Sequence, residues 1–243
     1  MHNLATVITE KFISADPVMA AKALENLATH EIILLVGSLK AHTLVSCLNN
    51  MAPAKAAAVL RRLPLKQASY VLTHLEVPQA GRLWKEFSSP YQERLRTVLE
   101  YSFVDLLTQA NGYPSDSVAH LMKTDFVAVR TEVKVGALVE RLKNLPRKKL
   151  PLICFVTGKA GDLKGVIRTA EIAFFDKEAV CGSVMAKSHA LHLTDKTESA
   201  RKTFTRLETD ALPVVNEQSI LMGFLEERQL PTEEKSFWKR LTK

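Results

Sequence analysis

Tyr113-Pro-Ser-Asp-Ser-Val-Ala-His-Leu-Met122 separates two periodicities in a chain of 243 residues, and the fold follows from where that break falls. Asn111-Gly112 just before it is a helix stop, Pro114 cannot continue a helix, and Ser115 or Ser117 with Asp116 can cap a new one. A chain of this length accommodates two compact domains of about 100 to 150 residues each. The spacing predicts one domain over residues 1–112 and a second beginning at 113.

Before the break, Pro53, Pro64, Pro78 and Pro90 punctuate short apolar segments at 54–63, 65–75 and 79–87. Each segment is about three turns of helix, and Ala68, Val71, Leu72 and Leu75 fall at the three- and four-residue steps that line one helical face. Proline near the first turn resets the chain direction each time. Helices this short cannot bury their stripes alone, so they are expected to stack into a small superhelical array, loosely repetitive in sequence.

After the break the pattern alternates and is written twice. Strands are expected at 126–129, 151–156 and 163–167, with a helix at 135–145 between the first two and a helix at 170–175 after the third. The order then recurs: a strand at 189–193, a helix at 197–207, strands at 212–215 and 220–225, and a helical segment at 226–230. Leu150-Pro-Leu-Ile153 aligns with Leu212-Pro-Val-Val215, and Leu163-Lys-Gly-Val-Ile167 with Leu221-Met-Gly-Phe-Leu225, an internal repeat of about 60 residues. Two such halves should pack about a local two-fold axis and leave ligand clefts between them.

Composition narrows the function. The chain is 47% hydrophobic and 24% charged, as folded globular proteins are. Its longest apolar runs fall well short of the roughly 20 residues needed to cross a bilayer, and the amino terminus lacks the apolar core of a secretory signal. A cytoplasmic location is expected. The net charge of +7 is spread: 11 basic and 9 acidic residues up to 113, and 22 and 17 beyond. Arg147-Lys148-Lys149 is the one tight basic triplet, and no aromatic residues interleave with it, which argues against nucleic acid as a partner. Cys47, Cys154 and Cys181 are widely spaced in apolar contexts, as buried thiols are. No nucleophile elbow, glycine-rich phosphate loop, HExxH or CxxC pair is present, so no enzymatic activity is expected. His189 and His192 are three apart on an expected strand and point to opposite faces, which does not suit a shared metal.

The repeated Leu-Pro-apolar-apolar and apolar-Gly-apolar-apolar phrases, each copy led by Leu121-Met122 or Val184-Met185, resemble a tandem CBS pair. With the proline-punctuated helices and Tyr113-Pro-Ser-Asp-Ser117 before them, the whole resembles the cytosolic region of the MgtE family of magnesium transporters, without the membrane pore. The resemblance implies an α+β chain: an all-α superhelical domain at 1–112, a CBS pair of two pseudo-symmetric βαββα repeats at 113–232 (about 117–178 and 179–232), and a tail at 233–243. The tail residues Phe237, Trp238 and Leu241 with Lys239, Arg240 and Lys243 would pack back on the pair or meet a membrane or partner.

It also implies a function. In that family the helical domain and the CBS pair form a dimeric magnesium sensor, in which acidic residues between the domains hold Mg2+ and a connecting helix couples the sensor to the pore. Hard divalent cations bridge like-charged carboxylates, so the chemistry is sound. Here Asp116 takes the acid position of the Tyr-Pro-x-Asp-Ser phrase and Asp125 is a second candidate ligand for Mg2+; Asp116 also suits a helix cap. CBS modules that hold adenine nucleotides commonly end their last strand Gly-apolar-apolar-(Thr/Ser)-x-x-Asp. The first copy reads Gly165-Val-Ile-Arg168-Thr-Ala-Glu171, leaving Arg168 and Glu171 as cleft candidates, and the second places Glu226 where the hydroxyl would be, which disfavours phosphate and hence an adenine nucleotide. The expectation is a non-enzymatic regulatory module, homodimeric through its CBS pair and working at the cytoplasmic face of the membrane with a transporter or other protein partner. It would respond to a divalent cation or small ligand by rearranging its domains. The alternatives are an interaction scaffold with a ligand-free dimerising pair, or an adenine-nucleotide sensor.

Overall fold

The structure, a computed structural model, describes residues 4–37, 39–147 and 150–231. Lys148 and Lys149 of the basic triplet and the tail at 233–243 lie outside these residues. The chain is α+β and separates into two compact units, Met1–Gly112 and Tyr113–Lys243.

The first unit is helical: α1 (Leu4–Ala15), α2 (Pro17–Glu25), α3 (Thr29–Val36), α4 (Ala41–Asn49), α5 (Pro53–Leu60), α6 (Leu65–His74), α7 (Val77–Glu86), α8 (Ser89–Arg96), α9 (Tyr101–Gln109) and a 3-10 turn at Ala110–Gly112. The repetition is stricter than the sequence suggested. Helices of one row start at residues 17, 41, 65 and 89, those of the other at 29, 53, 77 and 101, so each row advances by 24 residues. Packing follows the rows: α2 on α4, α4 on α6 and α6 on α8, then α3 on α5, α5 on α7 and α7 on α9. Ile32, Leu44, Leu60, Leu72, Leu83, Leu95 and Leu107 are all buried in the shared interior.

Helices of about three turns leave four N–H and four C=O groups unpaired at their ends, a large share of their backbone. Side chains about one period away satisfy them. Gln79, itself buried, donates through Nε2 to the carbonyls of Leu48 (3.0 Å) and Met51 (2.7 Å), and the Tyr91 hydroxyl donates to the carbonyl of Leu60 (3.0 Å). In the other direction, the Glu76 N–H donates to Asn49 Oδ1 (2.9 Å) and the Ala52 N–H to Glu25 Oε1 (2.5 Å). The end of α4, both ends of α5 and the start of α7 are thereby closed by neighbouring turns of the stack.

The second unit contains two three-stranded sheets. The first is β1 (Ala128–Arg130), β2 (Ile153–Thr157) and β3 (Leu163–Arg168), with α10 (Val135–Lys143) between β1 and β2; the second is β4 (Leu191–His192), β5 (Ala211–Val215) and β6 (Leu221–Glu226), with α12 (Thr197–Leu207) between β4 and β5. In both, the first pair is parallel, the second antiparallel, and the hairpin is bulged near its turn. A short helix α11 (Cys181–Val184) leads into the second copy.

The lead-in segments are exchanged between the copies. The Val118 and Ala119 N–H groups donate to the carbonyls of Asp195 and Leu193, and Lys123 pairs with Phe224 on β6. Equivalently, the Cys181 and Gly182 N–H groups donate to the carbonyls of Val133 and Thr131, and Ala186 pairs with Val166 on β3. The expected cap at the junction gives way to this pairing. Val118–His120 is only a 3-10 turn and Ser117 makes no side-chain cap, because the N–H groups a cap would serve are already bonded across the unit. Ser117 is instead fully buried, its Oγ 3.3 Å from His120 Nδ1.

The helices expected at 170–175 and 226–230 are 3-10 turns, Thr169–Phe174 and Glu227–Gln229. The first is pinned at its start by the Thr169 hydroxyl donating to the Pro151 carbonyl (2.6 Å).

The exchange depends on two glycines. A Cβ on Gly165 would stand 2.5 Å from the Ala186 carbonyl oxygen and 3.0 Å from Met185 Sδ; one on Gly223 would stand 2.4 Å from the Lys123 carbonyl oxygen and 3.1 Å from Met122 Sδ. Gly223→Ala and Gly165→Ala are each expected to lower stability by about 1–3 kcal/mol through overpacking, whereas Gly112→Ala, where a Cβ meets nothing within 4 Å, should not destabilise. Urea midpoints of the three variants measure the difference.

Candidate functional site

Both copies contribute to a cavity of about 390 Å³ in the second unit. Asp125 and Phe126 before β1, residues 150–153 and Phe155 of the first copy face Asp210, Ala211, Phe224 and residues 226–228 of the second. Its apolar wall is a run of three rings: Phe126 meets Phe155 edge-on at 5.7 Å between centroids, and Phe155 meets Phe224 at 6.0 Å. Phe155 is buried because it sits on the middle strand of its sheet, while Phe126 and Phe224 are half-buried.

Glu226 closes one side. Its carboxylate accepts from Lys123 Nζ (2.6 Å) and, through both oxygens, from Arg228 Nε (2.8 Å) and Nη2 (3.0 Å). Burial alone would raise its carboxyl, but the hydrogen bonds from Arg228 and Lys123 hold it below the usual carboxylate range. Gln229 completes the arrangement: its Nε2 donates to the Leu121 carbonyl (2.6 Å) and its Oε1 accepts from the Glu226 N–H (2.9 Å). The end of β6 therefore fastens the lead-in of the first copy. The repulsion of phosphate by Glu226 that the sequence suggested is weakened, since two cations already neutralise this carboxylate.

Arg168 ends β3, in the position corresponding to Glu226, and Glu171 lies on the following 3-10 turn. Both are exposed, and neither lines the cavity just described. Asp125 lines it, and Asp116 does not; Asp116 is exposed on the turn closed by the Ser117 N–H and Pro114 carbonyl, and its own carbonyl accepts from the Thr197 N–H. The structure thus does not bring the two candidate magnesium ligands to one cavity wall. Among the described residues no group of three or more His, Cys, Asp or Glu side chains is placed to hold a metal ion. His192 lies on β4 and His189 outside it. All three cysteines are free and buried, and burial pushes the Cys47 and Cys154 thiols up to about 11, so neither is a thiolate near neutrality.

Lys123, Asp210, Glu227 and Arg228 were not singled out from the sequence. The signal available was positional and partial: Glu227 and Arg228 directly follow the end of β6, as Thr169 and Ala170 follow Arg168 at the end of β3.

The Glu226 pairing makes stability pH-dependent. Because its folded value is depressed below 4.5, the pairing contributes in full above that pH and is lost as pH falls through the folded value. Glu226→Gln is expected to be less stable than the parent chain at pH 7, by about 1–3 kcal/mol, with the gap narrowing in urea titrations carried from pH 7 to 3.

Residues 12–116 match the family described as the MgtE intracellular N domain. No curated protein sequence matches the chain. Among solved structures, the soluble part of a magnesium transporter is 15% identical, with 93% of this chain and 95% of that one covered and a TM-score of 0.51. The cystathionine β-synthase pair domain of a candidate Mg2+ transporter from Shewanella oneidensis MR-1 is 12% identical over 68% of this chain and 95% of that one, TM-score 0.50. The cytosolic domain of the Mg2+ channel MgtE, solved with ATP, is 21% identical over 93% and 98%, TM-score 0.49. No helix among the described residues is long and apolar enough to cross a membrane. Residues 12–116 thus resemble an MgtE intracellular N domain, and the chain shares the α+β fold of the soluble part of a magnesium transporter, a helical array followed by a CBS-type pair.

Proposed function

We propose that this chain is a non-enzymatic regulatory module on the cytosolic side of a membrane, which responds to a divalent cation, magnesium first, by rearranging its two units. The match of residues 12–116 to the MgtE intracellular N domain carries this reading. Asp116 and Asp125, exposed carboxylates of the second unit that do not share a cavity wall, are each assigned as a separate contact for the ion and its waters. Magnesium keeps several of its waters and needs only one or two protein carboxylates, so a dense acidic cluster is not required. The module would act as a homodimer formed through the CBS-type pair and would transmit the response to a transporter. Isothermal titration with Mg2+, paired with small-angle scattering, tests it: saturable heat at millimolar ion and a changed scattering profile are expected, both reduced in Asp116→Asn. Absence of heat together with an unchanged profile would exclude cation sensing.

A second reading is adenine-nucleotide sensing at the end of β3. Arg168 is exposed there and has no ion-pair partner among the described residues, so its guanidinium is available for a phosphate. Glu171, one turn on, stands where CBS modules carry the acid that meets the ribose. AMP or ATP is expected to raise the melting temperature of the parent chain and to leave Arg168→Ala unmoved; no shift with either nucleotide removes this reading.

A further inference from the structure

The cavity at Asp125, Phe126 and Asp210 has a charge opposite to that of the chain around it. The protein carries a net +7, yet among the described residues the lining holds four carboxylates, Asp125, Asp210, Glu226 and Glu227, against the one cation Arg228. Arg228 is spent on Glu226, which Lys123 also neutralises. Asp125, Asp210 and Glu227 have no ion-pair partner among the described residues. The same cavity is lined by the rings of Phe126, Phe155 and Phe224, and Phe224 already receives one ammonium: Lys123 Nζ is 5.8 Å from its centroid. A cation over an aromatic face, in a site partly removed from water, is attracted by about 0.5–2 kcal/mol. A volume of about 390 Å³ lies at the lower end of the range for small-ligand pockets.

We propose that this cavity binds an organic cation with a flat apolar body, an aromatic amine or its quaternary counterpart, with the charge held by Asp125, Asp210 and Glu227 and the body laid against the three phenylalanines. A polyphosphate would bring its charge against the same three acids and is repelled from this side of the unit, whereas Arg168, outside the cavity, remains open to anions. The proposal rests on reading the second unit as ligand-responsive and adds the class of ligand that this cavity takes. It does not depend on magnesium.

Isothermal titration of the full chain with tryptamine, its neutral counterpart indole-3-ethanol, and ATP distinguishes the charge requirement from simple apolar filling. Tryptamine should bind saturably at one site, with indole-3-ethanol at least about tenfold weaker, a preference of the size that a few partly screened charges supply. In the combined variant Asp125→Asn, Asp210→Asn, Glu227→Gln the preference should disappear while the apolar wall still binds both indoles weakly. The three side chains are exposed, so the variant should melt like the parent chain. Equal affinity for the two indoles, undiminished tryptamine binding by the combined variant, or no tryptamine binding at all would each overturn the proposal. Tryptamine binding that fails while Asp116-dependent Mg2+ heat persists would overturn this assignment alone.

Discussion

At Gly165 and Gly223 the lead-in of one copy runs directly over the last strand of the other, leaving no room for a Cβ. At each crossing a carbonyl oxygen and a methionine sulfur fill the space a side chain would take, so the sheet gains an extra paired segment only because the strand beneath is bare. Everything else in the unit follows from those crossings. Val184 and Met185 complete the core of the first copy, packed against Val129, Leu138, Cys154 and Ile167. The Lys123–Glu226–Arg228 pairing and the Gln229–Leu121 hydrogen bond fasten the opposite crossing, and the cavity opens beside it.

The first unit solves a different problem. Its helices are too short to be stable singly, so both their apolar stripes and their exposed backbone ends must be served by neighbours. The 24-residue advance of each row makes this possible, because it returns a given side chain to nearly the same place one turn of the stack later. Gln79 and Tyr91 reach back across the stack to carbonyls of α4 and α5 for this reason.

Much of this was legible in the residues. Proline spacing gave the helical texture, and the duplicated Gly phrase gave the two hairpins, with α12 over the expected 197–207; the two Leu-Pro phrases do not coincide, because Val214 pairs with Gly223 where Val156, four residues beyond Leu152, pairs with Gly165. The regular period of the array was not legible, because it resides in helix starts and not in residue identity: Pro17 and Pro53 open their helices at the first position, but Ala41, Leu65 and Tyr101 hold equivalent places with no shared chemistry. The segments at 169–174 and 227–229 were read as helical, and the tether from the Thr169 hydroxyl to the Pro151 carbonyl, which lies outside the segment, was not visible in their composition. At the cavity, Asp125 was visible as an isolated acid, whereas the role of Glu226 depended on Lys123, 103 residues away, which no local pattern could connect to it.

The exchange of lead-ins bears on what counts as a part of this protein. A single copy of the repeat, cut at its sequence boundaries, would keep its own hairpin but lose the segment that covers its bare glycine, and would present its own lead-in with nothing to cover. Two such copies, if separate, would complete each other reciprocally. The second unit is therefore built as a dimer whose two members share one chain, and its smallest self-sufficient piece is the pair.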